Sequence, residues 1–519
     1  MTSDTSDSPC ALAVDVGTSS VRVFLYDRLL RNLGGSQLPY VWSTTPDGGV
    51  EIAADLVVDH AIAAVDRALA GDFTRPSAVP SAGDPSDANP PDATMPRAAR
   101  TIAAVGVSAF WHTLVGVGAD GAAVTPIYAW SDTRAARAAA VLRERLDERA
   151  IHARTGAVLH PSYLPARLLW LRESLPDLHR AVRWWMSAPE YLGLRLFGER
   201  RVSVSMASAT GLFDQHRQTW DDEMLGAIDL SPDALSPIAD VDAPCAPLRA
   251  GFAARWPALR GVPWLPAAGD GACANLGSGC VTPDRVALSL GTSGALRVMA
   301  RADRVEIPPG LWCYRLDRER PLLGGAISNG GSVYRWAASM FQLPPAAELE
   351  AALEVLAPDA HGLTMLPFLA GERSPDWPPA ARAAIAGITL HTTPVQIVQA
   401  ALEAVAYRLA LIRAPLAAHF PSARTVVASG GAIANSRAWA RIIADVFGEP
   451  LLVARDEEAS SRGAAMLAFA LAGIPSEPPA RLPSSELIEP DPARHARYAE
   501  ALERHRSLDA MLTPLPPRS

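Results

Sequence analysis

AVDVGTSSVRVFLYD, residues 13–27, returns in altered form as ALSLGTSGALRVM, residues 287–299. Each copy sets a Gly-Thr-Ser turn between apolar runs rich in β-branched residues, the pattern of a strand–turn–strand hairpin. The two turn glycines, Gly17 and Gly291, lie 274 positions apart, so the repeat cannot serve one local fold. A turn of this kind presents successive backbone N–H groups and hydroxyls at one point and makes a cradle for an anion. The pair predicts two related domains, each offering a phosphate turn to one polyphosphate in the cleft between them. Two ordinary glycine turns are the bland alternative.

In the first copy the cradle comprises Gly17, Thr18, Ser19 and Ser20, and in the second Gly291, Thr292 and Ser293. Asp15 precedes the first turn, and a carboxylate beside phosphates repels them unless Mg²⁺ stands between, held largely through water. Arg22, on the following strand, offers a forked cation for phosphate oxygens. The second copy has no acid at the matching place. One jaw is therefore expected to organise metal and the other only to donate hydrogen bonds.

The 519 residues exceed one hydrophobic core and suggest two or three domains. The 49% hydrophobic and 20% charged content is ordinary for a globular chain, and the net charge of −8 argues against nucleic acid as a partner. All positive charge is Arg, since the sequence has no Lys. That excludes a Walker A loop, a pyridoxal-phosphate Schiff base and the phosphate-pairing Lys of a protein kinase. The cysteines, Cys10, Cys245, Cys273, Cys280 and Cys313, show no CxxC pair and read as reduced thiols in a cytoplasmic protein. The start, MTSDTSDSPC, is not a signal peptide. No apolar run is read as approaching the roughly 18 residues that span a bilayer, so no membrane is expected.

A helix is expected from about Ala53 to Leu69, followed by a Pro-, Ser- and Asp-rich insertion, about 71–99, read as disordered. TIAAVGVSAF is a buried strand, residues 131–200 are largely helical, and GVPWLPAAGDGACANLGSGC runs from strand into a short helix. The resulting organisation is a disordered tail over 1–10, an N-terminal domain over 11–280, a C-terminal domain over 281–475, and a Pro-rich extension over 476–519 that adds little. Thr393, Pro394 and Gln396 predict a capped helix start before HTTPVQIVQAALEAVAYRLALI becomes periodic. Asn435 or Ser436 caps the next helix and Gly448 ends it.

The remaining signal is TVVASGGAIANSRAW, in which a strand delivers paired glycines to a helix start and permits close approach of a flat ligand such as adenine. With this piece the chain resembles the FGGY family of carbohydrate kinases over roughly residues 11–475. The resemblance implies an α/β fold of two actin-like ATPase (ribonuclease-H-like) domains flanking a deep cleft, with the sugar on the first and ATP largely on the second. It implies ATP and Mg²⁺ as cofactors, with Gly430, Gly431, Ala432 and Asn435 at the adenosine beside the two turns and Arg22, and with Asp15 at the metal. The family's general base corresponds to Asp270 in PAAGDGACANLGSG, where a helix N-cap is the competing role. VSAFWHTLVGV fills the family's place for sugar contacts at Trp111 and His112, and YAWSDTRA matches its Trp-x-Asp-x-Arg element at Trp130, Asp132 and Arg134. A structural histidine and a surface ion pair are the alternatives there.

TGAVLHPSYLPARLLWL, SAPEYLGLRLFG, SMASATGLFD with TWDDEML, LPFLAGERSPDW and EASSRGAAM together resemble gluconokinases more than xylulokinases or glycerol kinases. A substrate carboxylate would want Arg and His, which Arg134, His112 and His160 offer. Trp111 stands where the family has a small or sulfur-bearing residue, and Ala383 replaces a glycine. The expected activity is phosphorylation of a sugar or sugar-acid hydroxyl, first D-gluconate to 6-phosphogluconate, with a small-molecule partner and a homodimer as a compatible assembly. A pentulose or polyol kinase, and a non-catalytic actin-like ATPase or sugar sensor, are the alternatives.

Overall fold

The computed structural model describes residues 9–73, 101–378, 381–454, 458–476 and 485–512. The expected tail and insertion therefore fall almost wholly outside the described residues.

The first hairpin forms as read. Strands Cys10–Val16 and Ser20–Tyr26 pair antiparallel, with Asp15 opposite Arg22. Asn32–Pro39 adds a third antiparallel strand. On the other side, Ile102–Ala109 and then Ala268–Gly269 continue in parallel. The second half repeats this order. Arg285–Leu290 and Gly294–Met299 form its hairpin, Pro321–Ile327 joins antiparallel, and Thr425–Ser429 and Leu451–Ala454 continue in parallel. The repeat seen in two triplets is thus a repeat of whole sheets. Trp312–Arg315 and Ser485–Ile488 extend the second sheet at its two edges.

The first strand is buried at every position, because helices cover both faces of its sheet. One cover is the expected helix, Ala54–Ala70. Another comes from the far end of the chain: Ala459–Leu471 lies on the first sheet, against Ile102–Ala109 and the helix Asp270–Gly277. The approach is backbone to backbone. A Cβ on Gly106 would lie 1.9 Å from the Ala464 carbonyl, and one on Gly463 2.0 Å from that of Cys273. Small residues at these points let a late segment bind the two halves together.

Helix Pro394–His419 starts with the predicted capping box: Thr393 accepts from the Gln396 N–H and Gln396 reaches back to Thr393. Among the described residues it is the one helix long and apolar enough to cross a bilayer, a feature the sequence reading passed over, but most of it is buried in the second core. Its interior also carries three buried charged-type residues: Glu403, hydrogen-bonded with His361, and Arg408 and Arg413, each paired with a carboxylate. In the next helix, Arg437–Phe447, Ser436 rather than Asn435 is the cap, and Gly448 ends it in the left-handed conformation.

One expectation is corrected. The C-terminal stretch does not add little. Its strand pairs with Leu451–Ala454, and its helix Pro492–Leu512 buries Tyr498, Ala501, His505 and Leu508 at helical spacing. Prolines dominated the reading of this stretch, although the helix pattern begins just after them.

Candidate active site

The two hairpin turns follow one plan, the second a residue shorter than the first. Gly17 N–H donates to the Ser20 carbonyl and Gly291 N–H to that of Ser293. Thr18, Ser19 and Thr292 are exposed at the tips, while Ser20 is buried and its hydroxyl takes a hydrogen bond from Gln37 at 3.2 Å. Ser20 thus shapes the first turn from beneath its exposed tip. Indole Nε1 of Trp42 donates to the Thr18 carbonyl and the Tyr40 hydroxyl to that of Gly17, which fixes the turn from behind. In the second turn Gly330 and Gly331 donate to the carbonyls of Thr292 and Gly291 at 2.9 and 2.7 Å. Arg335 places its guanidinium 3.0 Å from the Thr292 hydroxyl, a cation at this turn that the sequence reading missed.

The glycine pair after Thr425–Ser429 lies against the second turn. Gly430 has φ +104°, and a Cβ there would sit 2.5 Å from the Leu290 carbonyl. Ala432 faces Gly331, and Asn435 closes the short helix Gly431–Ala434 by donating to the Gly431 carbonyl at 2.8 Å. Gly291, Thr292, Ser293, Gly430, Gly431, Ala432 and Asn435 therefore share one region.

Asp15 is 1% exposed in an otherwise apolar strand, a placement that requires a partner. Arg22 supplies it across the hairpin at 2.6 Å and also reaches Glu458 at 3.4 Å. Arg22 is thus tied to carboxylates rather than waiting as a bare phosphate fork, which corrects that expectation. Oδ1 of Asp15 keeps no hydrogen-bond partner among the described residues. In the second hairpin Ser289 stands where Asp15 does, and Arg297 reaches back to its hydroxyl at 2.6 Å and to Asn275 at 3.1 Å.

Asp270 lies between these two arginine-bearing hairpins. It is the first residue of helix Asp270–Gly277, with Gly269 as the cap, so the capping role does not fall to it. Its carboxylate accepts from the Gly271 N–H at 2.6 Å. Burial pushes its pKa up to about 6, the charge of Asp15 adds to this, and Arg297 and Arg22 oppose it. A carboxylate poised near neutrality suits proton transfer. Trp111 forms its floor. The indole packs on Gly269 and Gly271, where a Cβ would come within 1.9 and 2.6 Å of the ring, and Nε1 donates to the Ser205 carbonyl at 3.1 Å. Trp111 therefore shapes the site and has no hydrogen bond left to give.

Beyond Asp270 a second cluster draws on both halves. His112, at φ +61°, sits edge-on to Tyr163 and Tyr314, and its Nε2 is 3.3 Å from the Tyr314 hydroxyl. Arg167 holds this strained backbone by donating to the carbonyls of His112, Pro161 and Ser162 at 2.6–3.0 Å. Burial pushes His112 down to about 3, the charges of Arg167 and Arg373 add to this and a backbone hydrogen bond at Ala209 opposes it, so it is neutral at physiological pH. His160 packs on Trp377, and burial holds it well below the usual histidine range.

Arg134 does not join this cluster. It is ion-paired to Asp132 at 2.6 Å and to Glu51 at 2.7 Å and lies over the Tyr128 and Trp170 rings. Asp132 also accepts from Val50 N–H. The pair is a buried brace, which corrects the expectation that it faces substrate. The cation of this cluster is Arg373, from the quoted LPFLAGERSPDW. It stacks 4.6 Å over Trp130 and acts electrostatically on His112, His160, Tyr163 and Tyr314. No carboxylate lies within ion-pair distance of it among the described residues, and its Nε has no partner. No spacing signal in the sequence marks Arg373, because its neighbours come from segments far away in the chain.

The described residues contain no group of three or more His, Cys, Asp or Glu arranged to hold a metal.

Against models of known families, residues 92–277 match the FGGY family of carbohydrate kinases, N-terminal domain, and residues 286–472 match the C-terminal domain of the same family. The chain belongs to the FGGY carbohydrate kinases. Gluconokinase of Bacillus subtilis (strain 168) is 27% identical over 391 residues, covering 72% of this chain and 75% of the relative. Xylulose kinase of Escherichia coli (strain K12) is 28% identical over 423 residues, covering 80% and 86%. The crystal structure of gluconate kinase from Lactobacillus acidophilus superposes with a TM-score of 0.84 at 24% identity, over 98% of this chain and 99% of that one. Both halves of this FGGY kinase thus have the actin-like ATPase fold, and the repeated sheet order is its signature.

Proposed function

We propose that this kinase transfers the γ-phosphoryl group of ATP to a hydroxyl of a sugar acid, with D-gluconate as first substrate and 6-phosphogluconate as product. The observation that carries the choice of an acid is Arg373. It is a half-buried guanidinium with no carboxylate within ion-pair distance among the described residues, acted on only electrostatically by its neighbour Glu372, and set among neutral His112, His160, Tyr163 and Tyr314. A substrate carboxylate would supply the missing partner, and a charge-assisted pair is about twice as strong as a neutral hydrogen bond. The neutral His112 would offer a ring nitrogen to a substrate hydroxyl.

In the reaction Asp270, ionised above pH about 6, takes the proton of the attacking hydroxyl as its oxygen bonds to the γ-phosphorus and ADP departs. Backbone amides of the two glycine turns, with Arg335 and Gly430–Ala432, hold and orient the nucleotide. The open Oδ1 of Asp15 fits a Mg²⁺ ion held largely through water, and such an ion supplies charge neutralisation on the triphosphate. Trp111 and Trp130 give the floor and wall that exclude water from the acceptor.

The test is ADP release and product mass with MgATP and D-gluconate, D-xylulose or glycerol. D-gluconate should give the highest kcat/KM. Preference for D-xylulose would assign the pentulose alternative, and no turnover with any acceptor would reject the kinase reading.

A further inference from the structure

Arg373 is placed by a loop that the second sheet holds from one side. Its backbone N–H donates to Glu372 Oε1 at 2.8 Å, and Ser328 N–H donates to the same oxygen at 2.8 Å. Its Nη2 donates to the Ile327 carbonyl at 2.9 Å, and Asn329 ties Ala370 and Gly371. Glu372 thus joins the end of strand Pro321–Ile327 to the turn that aims Arg373.

Behind Glu372 stands a second cation. Arg408, in helix Pro394–His419, is fully buried over the Phe368 ring. Its Nη1 bonds Asp509 at 2.7 Å, whereas its Nε is 3.8 Å from Glu372 Oε2. Asp509 belongs to the C-terminal helix, outside the segments that match the family models. Glu372 Oε2 and Arg408 Nε and Nη2 have no hydrogen-bond partner among the described residues. The guanidinium is therefore shared unequally between two carboxylates, and the C-terminal one holds it more closely.

We propose that the C-terminal helix positions the sugar-side Arg373 through Asp509, Arg408 and Glu372. If the Asp509 charge is removed, Arg408 has one remaining anion. A buried unpaired charge is costly, so it moves onto Glu372 and draws that carboxylate away from the Ser328 and Arg373 N–H groups. The helix itself stays docked, because Asp359 pairs with Arg497 and Arg504, Tyr498 bonds Glu403, and His505 bonds the Met365 carbonyl. Asp509 and Arg408 are positioning residues; neither touches the proposed substrate. The effect on sugar binding rests on the placement of Arg373 in the acceptor pocket proposed above.

The experiment compares the full chain with Asp509→Asn and Asp509→Glu, by hydrogen exchange over residues 366–377 without ligand and by steady-state kinetics with MgATP and D-gluconate. In Asp509→Asn exchange at residues 366–377 should quicken while the first sheet keeps its protection. KM for the acceptor should rise by about 3- to 30-fold with KM for ATP unchanged, and Asp509→Glu should restore both. Unchanged exchange overturns the relay whatever the enzyme phosphorylates. Quickened exchange with equal shifts in both KM values overturns it as well, since that marks general loosening. If the unaltered chain phosphorylates no sugar, the substrate reading falls, and the exchange measurement still decides whether Asp509 holds the loop.

Discussion

At the scale of single residues, Asp270 makes the strongest commitments. In the proposed reaction its ionised form accepts the proton, so kcat/KM should climb with pH and level off above about 6. His112, held down to about 3, adds no second step near neutrality. Asp270→Asn should lower kcat by about 10²–10⁴-fold and leave nucleotide affinity within severalfold; full activity in this variant would remove Asp270 from the chemistry. The same shift predicts a gain in stability. The folded chain holds the proton up to about 6 and the unfolded chain releases it near 3.8, so stability falls as pH rises through that window. The Asn variant lacks the charge and should exceed the parent by about 3 kcal/mol at pH 8, with little advantage at pH 4, in urea melts. Asp270 was legible because its Gly-Asp-Gly setting is local. Arg373 was not, because a guanidinium without an ion pair is recognised only from what surrounds it in space, here Trp130 and the Ile327 carbonyl. Replacing it with Met should raise KM for the acceptor by about 10- to 100-fold and leave KM for ATP alone, an effect the size of a lost charge-assisted hydrogen bond.

At the scale of elements, the nucleotide region depends on a strand end meeting a helix start with no side chain between them. Gly430 combines φ +104° with a carbonyl 2.5 Å from where a Cβ would stand. Gly430→Ala should therefore push Leu290 and the second turn, weaken ATP binding by about tenfold or more, and leave acceptor affinity unchanged. Equal affinity for nucleotide, measured by calorimetry, would separate this glycine from the ATP site. The hairpins, the capping box at Thr393 and the Ser436 and Gly448 helix ends were readable because each is fixed by residues within a few positions of one another. The C-terminal helix was misjudged for the opposite reason. Its value lies in Tyr498, His505 and Asp509 meeting Glu403, Met365 and Arg408, contacts that no local pattern announces. The crossing of Ala459–Leu471 onto the first sheet was hidden in the same way, although its small residues, including Gly463, were the trace it left.

At the scale of the whole molecule, the cluster proposed to hold the acceptor belongs to neither half. His112 and Tyr163 come from the first, and Tyr314, Arg373 and Trp377 from the second. The phosphate turns are divided in the same way, and Asp270 senses charges from both hairpins. A ligand that touches both sides is bound more tightly when they are close, so acceptor and nucleotide must each favour closure. That converts the architecture into a measurable coupling. D-gluconate should tighten binding of a non-hydrolysable ATP analogue by about 5- to 150-fold, and the analogue must tighten D-gluconate by the same factor. Small-angle scattering should show a smaller radius of gyration with both ligands than with either alone. Closure also excludes water, so ATP hydrolysis without acceptor should run far below transfer. Asp270→Asn should retain the coupling while losing turnover, because Asn keeps the volume and loses only the basic charge. A coupling factor of one in the parent chain would mean that the halves act independently, and the shared pocket would then lose its role in catalysis.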